Sequence, residues 1–235
     1  MATADEVSSI DIRGRSVPVE IFKPKAGVPA PGLVVIHEIF GLNDDIRRIS
    51  KRFADEGFVA AAPDLLTGGL KIGCVLRAVM TLQSGTGPMV DELEALVAML
   101  ESRDDVGRVG AVGFCMGGGF ALLLGTRQSV KAAGVYYGEI RSREELERAC
   151  PLVGGYGGKD RTFAPKGRKL IEMLNALGKE HDIRMYEDAG HSYLSDAGHP
   201  IMARLSRPLM HVEYNEEAAE DSWRRMLSFF RRHLA

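Results

Sequence analysis

Cysteine is scarce in this chain: Cys74, Cys115 and Cys150 are an odd number, widely separated, and form no C-x-x-C pair. That favours neither a disulfide framework nor a cysteine zinc site, and it suits a reducing compartment. Charge of one sign is also missing. Thirty Lys and Arg against 32 Asp and Glu leave a net charge of −2, so no basic stripe exists to compensate phosphates and nucleic acid is not expected as a partner. No apolar run approaches the length of a membrane span, and the start, Met1-Ala2-Thr3-Ala4-Asp5-Glu6-Val7, lacks the basic and apolar regions of a signal peptide. A cytoplasmic location without membrane contact is the expectation. There is one Trp, Trp223, and its helical spacing with Met226, Leu227 and Phe230 makes it a core residue.

What is present is a regular alternation. Extended segments are expected near Val7–Ile12 and Val17–Phe22, then a buried strand at Leu33–Ile36, a helix from about Asp44 to Glu56 stopped by Gly57, and a strand at Phe58–Ala62. The rhythm continues with a helix near Val90–Ser102, strands near Val109–Phe114, Ala132–Tyr136, Leu152–Tyr156 and Ile183–Tyr186, and helices near Pro165–Leu177 and Glu216–His233. Alternating β and α elements imply an α/β fold with a mostly parallel central sheet and helices on both faces. With 235 residues, 45% of them apolar, one domain over 1–235 is expected. Two stretches break the rhythm, at about 67–88 and 195–214, and both read as lid or binding loops.

The densest chemical signal is Gly113-Phe114-Cys115-Met116-Gly117, between the apolar Val109–Val112 and the helix-like Gly119–Leu124. It is a G-x-C-x-G form of the strand-to-helix turn that raises a nucleophile above a sheet, with small flanking residues because strand and helix approach closely there. The competing reading is a buried structural thiol in a glycine-rich turn. A thiol at its reference pKa of roughly 8.5 is only slightly ionised at neutral pH, so a sulfur nucleophile needs a base and an orienting acid. Asp160, after Tyr156-Gly157-Gly158-Lys159, and His191, after Glu187-Asp188-Ala189-Gly190, follow strands in the order that such triads require. Asp160 could instead cap a turn and His191 lie on the surface.

Two decoys fail on spacing. Gly154–Asp160 lacks the first glycine and the Ser/Thr of a phosphate loop, and Gly113–Gly119 has Cys115 where the dinucleotide motif needs glycine. His191, His199 and His211 have no metal-ligand spacing, so no metal and no cofactor is expected. Cys74 and Cys150 lack a base nearby and read as packing residues.

Beyond the elbow, the chain carries His37-Glu38-Ile39-Phe40-Gly41-Leu42, Ala62-Pro63-Asp64-Leu65, Tyr136-Tyr137-Gly138, Gly157-Gly158-Lys159-Asp160 and Tyr186-Glu187-Asp188-Ala189-Gly190-His191-Ser192. In these segments it resembles the dienelactone hydrolases, cysteine-dependent members of the α/β-hydrolase superfamily, over most of residues 33–233. The resemblance implies the α/β-hydrolase fold and a Cys115–His191–Asp160 triad. It implies that Glu38 interacts with the thiol and helps ionise it when substrate binds, and that the N–H groups of Ile39 and Met116 form the oxyanion hole. Tyr137 and Arg77 are the candidate substrate contacts. The implied activity is carboxymethylenebutenolidase-type hydrolysis of small carboxylic esters or lactones through an acyl-enzyme, by a monomer or weak homodimer. The alternatives are a thioesterase or acyl transferase on the same triad, and a ligand-binding homologue without turnover.

One departure bears on substrate. Characterised dienelactone enzymes place an arginine shortly after the Gly-His-Ser segment to hold the substrate carboxylate, whereas here Tyr193-Leu194-Ser195-Asp196 follows. Arg77, Arg161, Arg204 and Arg207 are the guanidinium groups in or near the loops, and each reads more simply as a solvated charge.

Overall fold

The computed structural model describes residues 2–25, 29–67, 72–195 and 208–235. Eight strands form one sheet in the order β1-β2-β4-β3-β5-β6-β7-β8. They are β1 (Glu6–Ile12), β2 (Arg15–Phe22), β3 (Ala30–Ile36), β4 (Val59–Pro63), β5 (Val106–Phe114), β6 (Ala133–Tyr136), β7 (Leu152–Gly157) and β8 (His181–Tyr186). β1 pairs antiparallel with β2, and β2 antiparallel with β4; from β4 to β8 every neighbour is parallel.

Burial follows this arrangement. Edge strand β1 alternates between exposed and partly buried positions, and it turns into β2 through Arg13 and Gly14, whose φ angles of 49° and 78° suit a two-residue hairpin. The parallel strands are apolar on both faces: Leu33, Val34, Val35 and Ile36 of β3 and Val59 through Ala62 of β4 are all fully buried. Such strands need helices above and below.

The helices are α1 (Asp44–Asp55), α2 (Ile72–Ser84), α3 (Pro88–Glu101), α4 (Met116–Thr126), α5 (Arg143–Leu146), α6 (Ala164–Ala176) and α7 (Glu216–Leu234). The β3-to-β4 crossover runs in the opposite direction along the sheet from β5-to-β6. Right-handed crossovers therefore put α1 and α4 on opposite faces. α1 packs with α7, through Phe53 on Trp223 at 4.6 Å and the Arg52–Glu220 ion pair, while α2, α3 and α4 pack on one another. Trp223 is buried in this layer, as its spacing requires. Among the described residues no helix is long and apolar enough to cross a membrane.

Within the stretch at 67–88, the described residues 72–84 are not an irregular loop. Its glycines suggest one, yet Ile72–Ser84 is the helix α2, seated by Ala78, Thr81 and Leu82, with Leu76, Val79 and Met80 exposed. Two glycines lie after it: Gly85, at φ 72°, ends the helix, and Gly87, at φ 141°, stands at the start of α3. The short helix α5 was also not expected; Ser142 and Glu145 form a capping box that holds it. Of the second interruption, 208–214 is irregular chain and 196–207 lies outside the described residues, as do His199, Arg204 and Arg207.

The strand order reverses between β3 and β5. The chain leaves β3 toward β4, then returns to the other side as β5, which opens a crevice at the carboxyl ends of these two strands. Glu38 follows one and Cys115 the other.

Candidate active site

Cys115 links β5 to α4 with φ 54° and ψ −116°, a backbone conformation that costs a non-glycine residue on the order of 1–3 kcal/mol. Close packing enforces it. A Cβ on Gly113 would stand 1.9 Å from the Gly117 carbonyl oxygen, and one on Gly117 would stand 2.2 Å from the Ile36 carbonyl oxygen. Strand β3, strand β5 and helix α4 thus touch backbone to backbone, which only glycine permits. The Cys115 amide donates to the Tyr136 carbonyl at 3.1 Å, pinning the turn to β6 as well. The thiol is left half-buried at the head of α4, where the first helical N–H groups have no intrahelical acceptor.

Asp160 follows β7 and is fully buried. Its two oxygens do different work. Oδ1 accepts from the Thr162 and Phe163 amides at 2.9 and 3.0 Å, and Oδ2 lies 2.6 Å from His191 Nδ1. Asp160 therefore both caps its turn and binds the histidine. The ring sits between Phe163 and Tyr137, at 4.9 and 5.0 Å between centroids, and the His191 amide donates to the Met210 carbonyl at 2.8 Å. With Nδ1–H donating to Asp160, Nε2 is the ring nitrogen left on the thiol side; it is buried and meets no hydrogen-bond partner among the described residues. Burial pulls the imidazole pKa down, but the charge of Cys115 and the bond from Asp160 outweigh it and raise the pKa to about 10.

Glu38 follows β3 and is buried, with Oε1 lacking any partner. Burial holds its pKa above the ordinary carboxyl value, against the opposing charge of His191 and the nearby Ser192 hydroxyl. Beside it, burial and then the Glu38 charge push Tyr137 well above the usual phenol range; this residue has φ 41° and an unpartnered hydroxyl. His37, which the sequence motif left without a role, sets the loop. Its Nδ1–H donates to the Glu38 carbonyl at 2.6 Å and its Nε2 accepts from the Leu65 amide at 3.1 Å. Burial lowers its pKa, so the ring stays neutral and can do both.

A cavity of about 170 Å³ opens on Cys115, lined by Ile39, Val79, Leu82, Gln83, Met116, Glu139 and Phe163. Ile39 and Met116, the expected oxyanion donors, line the same cavity as Cys115. Cys115, Asp160, His191, Glu38 and Tyr137 converge from loops after five strands. Arg77 does not join them: it is exposed on α2, outside the cavity lining, and its charge falls on Glu92. Arg161 is exposed too, and His211 pairs with Glu213 at 3.3 Å. Val79, Leu82 and Gln83 were hidden in the stretch read as a loop, and Phe163 and Glu139 carry no motif. The signal for the first three was the apolar spacing within Ile72–Ser84.

Comparison with known proteins agrees with this architecture. The sequence profile of the Dienelactone hydrolase family matches residues 17–234. A Saccharolobus solfataricus protein named "Putative carboxymethylenebutenolidase" is 30% identical, with 87% of this chain and 90% of that protein aligned. An Escherichia coli (strain K12) protein of the same name is also 30% identical, over 96% of this chain and 86% of its own length. A crystal structure described as a "Putative Dienelactone Hydrolase" from Klebsiella pneumoniae superposes with TM-score 0.77 at 25% identity, covering 97% of this chain and 98% of that one. A dienelactone hydrolase-like promiscuous phosphotriesterase from metagenomic libraries shares the fold, with TM-score 0.83 at 20% identity over 98% of each chain.

Proposed function

This chain belongs to the dienelactone hydrolase family and is an ester or lactone hydrolase, and from that premise we propose that it works through a Cys115–His191–Asp160 triad and an acyl-enzyme. The observation that carries the reading is the 2.6 Å bond from His191 Nδ1 to Asp160, which leaves Nε2 as the ring atom free for proton transfer, beside a cysteine held in a strained turn.

In this reading the thiol proton passes to Nε2 and the sulfur attacks the substrate carbonyl carbon. The oxyanion meets the N–H groups of Ile39 and Met116, donors of a kind worth about 3 kcal/mol each where charge develops. His191 then protonates the departing alkoxide, giving an alcohol or an opened ring and a thioester on Cys115. Water, deprotonated by Nε2, attacks the thioester and frees the acid. Glu38 fits the scheme in its neutral form: a protonated carboxyl adds no anion beside the sulfur and so does not oppose the thiolate. A thiol nucleophile suits a reducing compartment, and we assign the protein to the cytoplasm.

Initial rates on p-nitrophenyl acetate and on an uncharged lactone, with and without Cys115→Ala, test this. The variant is expected to lose roughly 10⁴-fold or more in kcat, and intact-mass spectra of the wild type in the steady state are expected to show one added acyl group. Full activity in Cys115→Ala would refute the triad.

A further inference from the structure

The cavity on Cys115 is apolar except for Gln83 and Glu139. Glu139 is not a loose surface side chain. Its loop follows β6 and is pressed onto the start of α4, where a Cβ on Gly138 would stand 2.5 Å from the Gly118 carbonyl carbon. The Tyr156 hydroxyl donates to the Gly138 carbonyl at 3.1 Å, and the Ile140 amide donates to Glu139 Oε1 at 3.3 Å. Glu139 Oε2 lies 2.5 Å from Lys166 Nζ. That ammonium in turn stands over the Phe163 ring, 4.6 Å from its centroid, and Phe163 both lines the cavity and packs on His191. Lys166 is thus a cation adjoining the cavity among the described residues, and a carboxylate of the protein already occupies it. The next guanidinium, Arg141, is taken up by Glu145 and by the Leu82 carbonyl.

We propose that Glu139 is a specificity-determining residue: by occupying Lys166 with an internal carboxylate at the cavity wall, it restricts the enzyme to esters or lactones whose acyl part is short and uncharged. A substrate carboxylate entering the cavity meets Glu139 itself and finds Lys166 already engaged. The volume, roughly that of five or six water molecules, agrees with a short acyl group. This proposal rests on the reading of Cys115 as the acyl acceptor, but its test does not require turnover.

The test compares alkylation of Cys115 by iodoacetate and by iodoacetamide, reagents that differ in one negative charge, followed by peptide mass spectrometry. The same variants are then assayed on p-nitrophenyl butyrate and mono-p-nitrophenyl succinate. Glu139→Gln is expected to raise the anionic-to-neutral ratio at least tenfold in both assays. Lys166→Gln alone is expected to lower it, and combining it with Glu139→Gln to cancel the gain. Glu172→Gln, an equal charge change at an exposed position of α6, is expected to leave the ratio where it was. A ratio within twofold of wild type in Glu139→Gln, or an equal rise in Glu172→Gln, overturns the proposal. Should neither ester be turned over while the alkylation ratios move as stated, the hydrolytic reading fails and the charge assignment stands.

Discussion

Glu6 and Glu38 lie at opposite edges of one sheet and have opposite electrostatics. At the amino edge of the parallel strands, Glu6 receives both arms of Arg103 at 2.8 and 3.1 Å and the Lys23 ammonium at 2.6 Å, and its side chain keeps a third of its surface in water. Those partners, Arg103 first, hold its carboxyl down to about 2. At the carboxyl edge, Glu38 is buried, one oxygen is unpaired, and burial pushes its pKa up. One edge satisfies its charges; the other keeps Glu38 Oε1, Tyr137 Oη and His191 Nε2 without partners, next to a cysteine in a strained conformation. Unpaired buried polar groups and backbone strain are costly, and here the two occur together where this molecule would meet its substrate.

The largest effect should come from the bond that orients the histidine. Asp160→Asn preserves the shape but inverts the preferred tautomer, and kcat is expected to fall by roughly 10³–10⁴-fold with little change in far-UV circular dichroism. An unchanged kcat would show that this bond does not serve the reaction. Next is the elbow against the hairpin. Gly113→Ala drives a methyl into the Gly117 carbonyl and should cost about 3 kcal/mol in urea denaturation. Gly14→Ala, at φ 78° with open space around the added methyl, should cost about 1 kcal/mol. Equal costs would mean that the elbow relaxes and its glycines are not steric requirements.

The two glutamates give the smaller effects, with opposite pH dependence. Because the folded pKa of Glu38 is raised above its unfolded value, its contribution favours folding at low pH and is lost as pH rises through the folded pKa. Glu38→Gln should therefore raise Tm near pH 8, by about 1 kcal/mol of stability, and bring less gain at pH 4. Glu6 is the reverse: its folded pKa is depressed, so its contribution is present above the unfolded value of 4.5 and is lost as pH falls toward about 2. Glu6→Gln should lower Tm at pH 7 by less than about 1 kcal/mol of stability, since the pair is partly solvated, and the difference should close between pH 4.5 and 2. A scan of Tm against pH for both variants checks the two signs together.

Much of the fold was legible in order of residues. Apolar runs at Leu33–Ile36 and Val109–Phe114, the Asn43 cap and the Gly57 stop identify strands and helices because these signals act over a few residues. The stretch at 67–88 was misread because five glycines outweigh a helical pattern whose buried side consists of Ala78, Thr81 and Leu82. That small face is stabilised only by packing on α3 and α4. In the site, Cys115, Asp160 and His191 were recognisable from local motifs and their order, and Glu38 from the segment around it. Arg77 was a candidate by residue type alone, and the helix it belongs to carries it outward.

By itself, the sequence determined the alternation of strands and helices and the glycine-flanked cysteine, since each depends on neighbours within one or two turns, and it set the chain order Cys115, Asp160, His191. Tertiary structure alone decided that β3 and β5 lie side by side, so that Glu38 and Cys115 share a crevice, and that Lys166 is met by Glu139 from another loop. Chain reversals bring those groups together across tens of residues, and a contact of that kind leaves no mark on the local spacing of either partner.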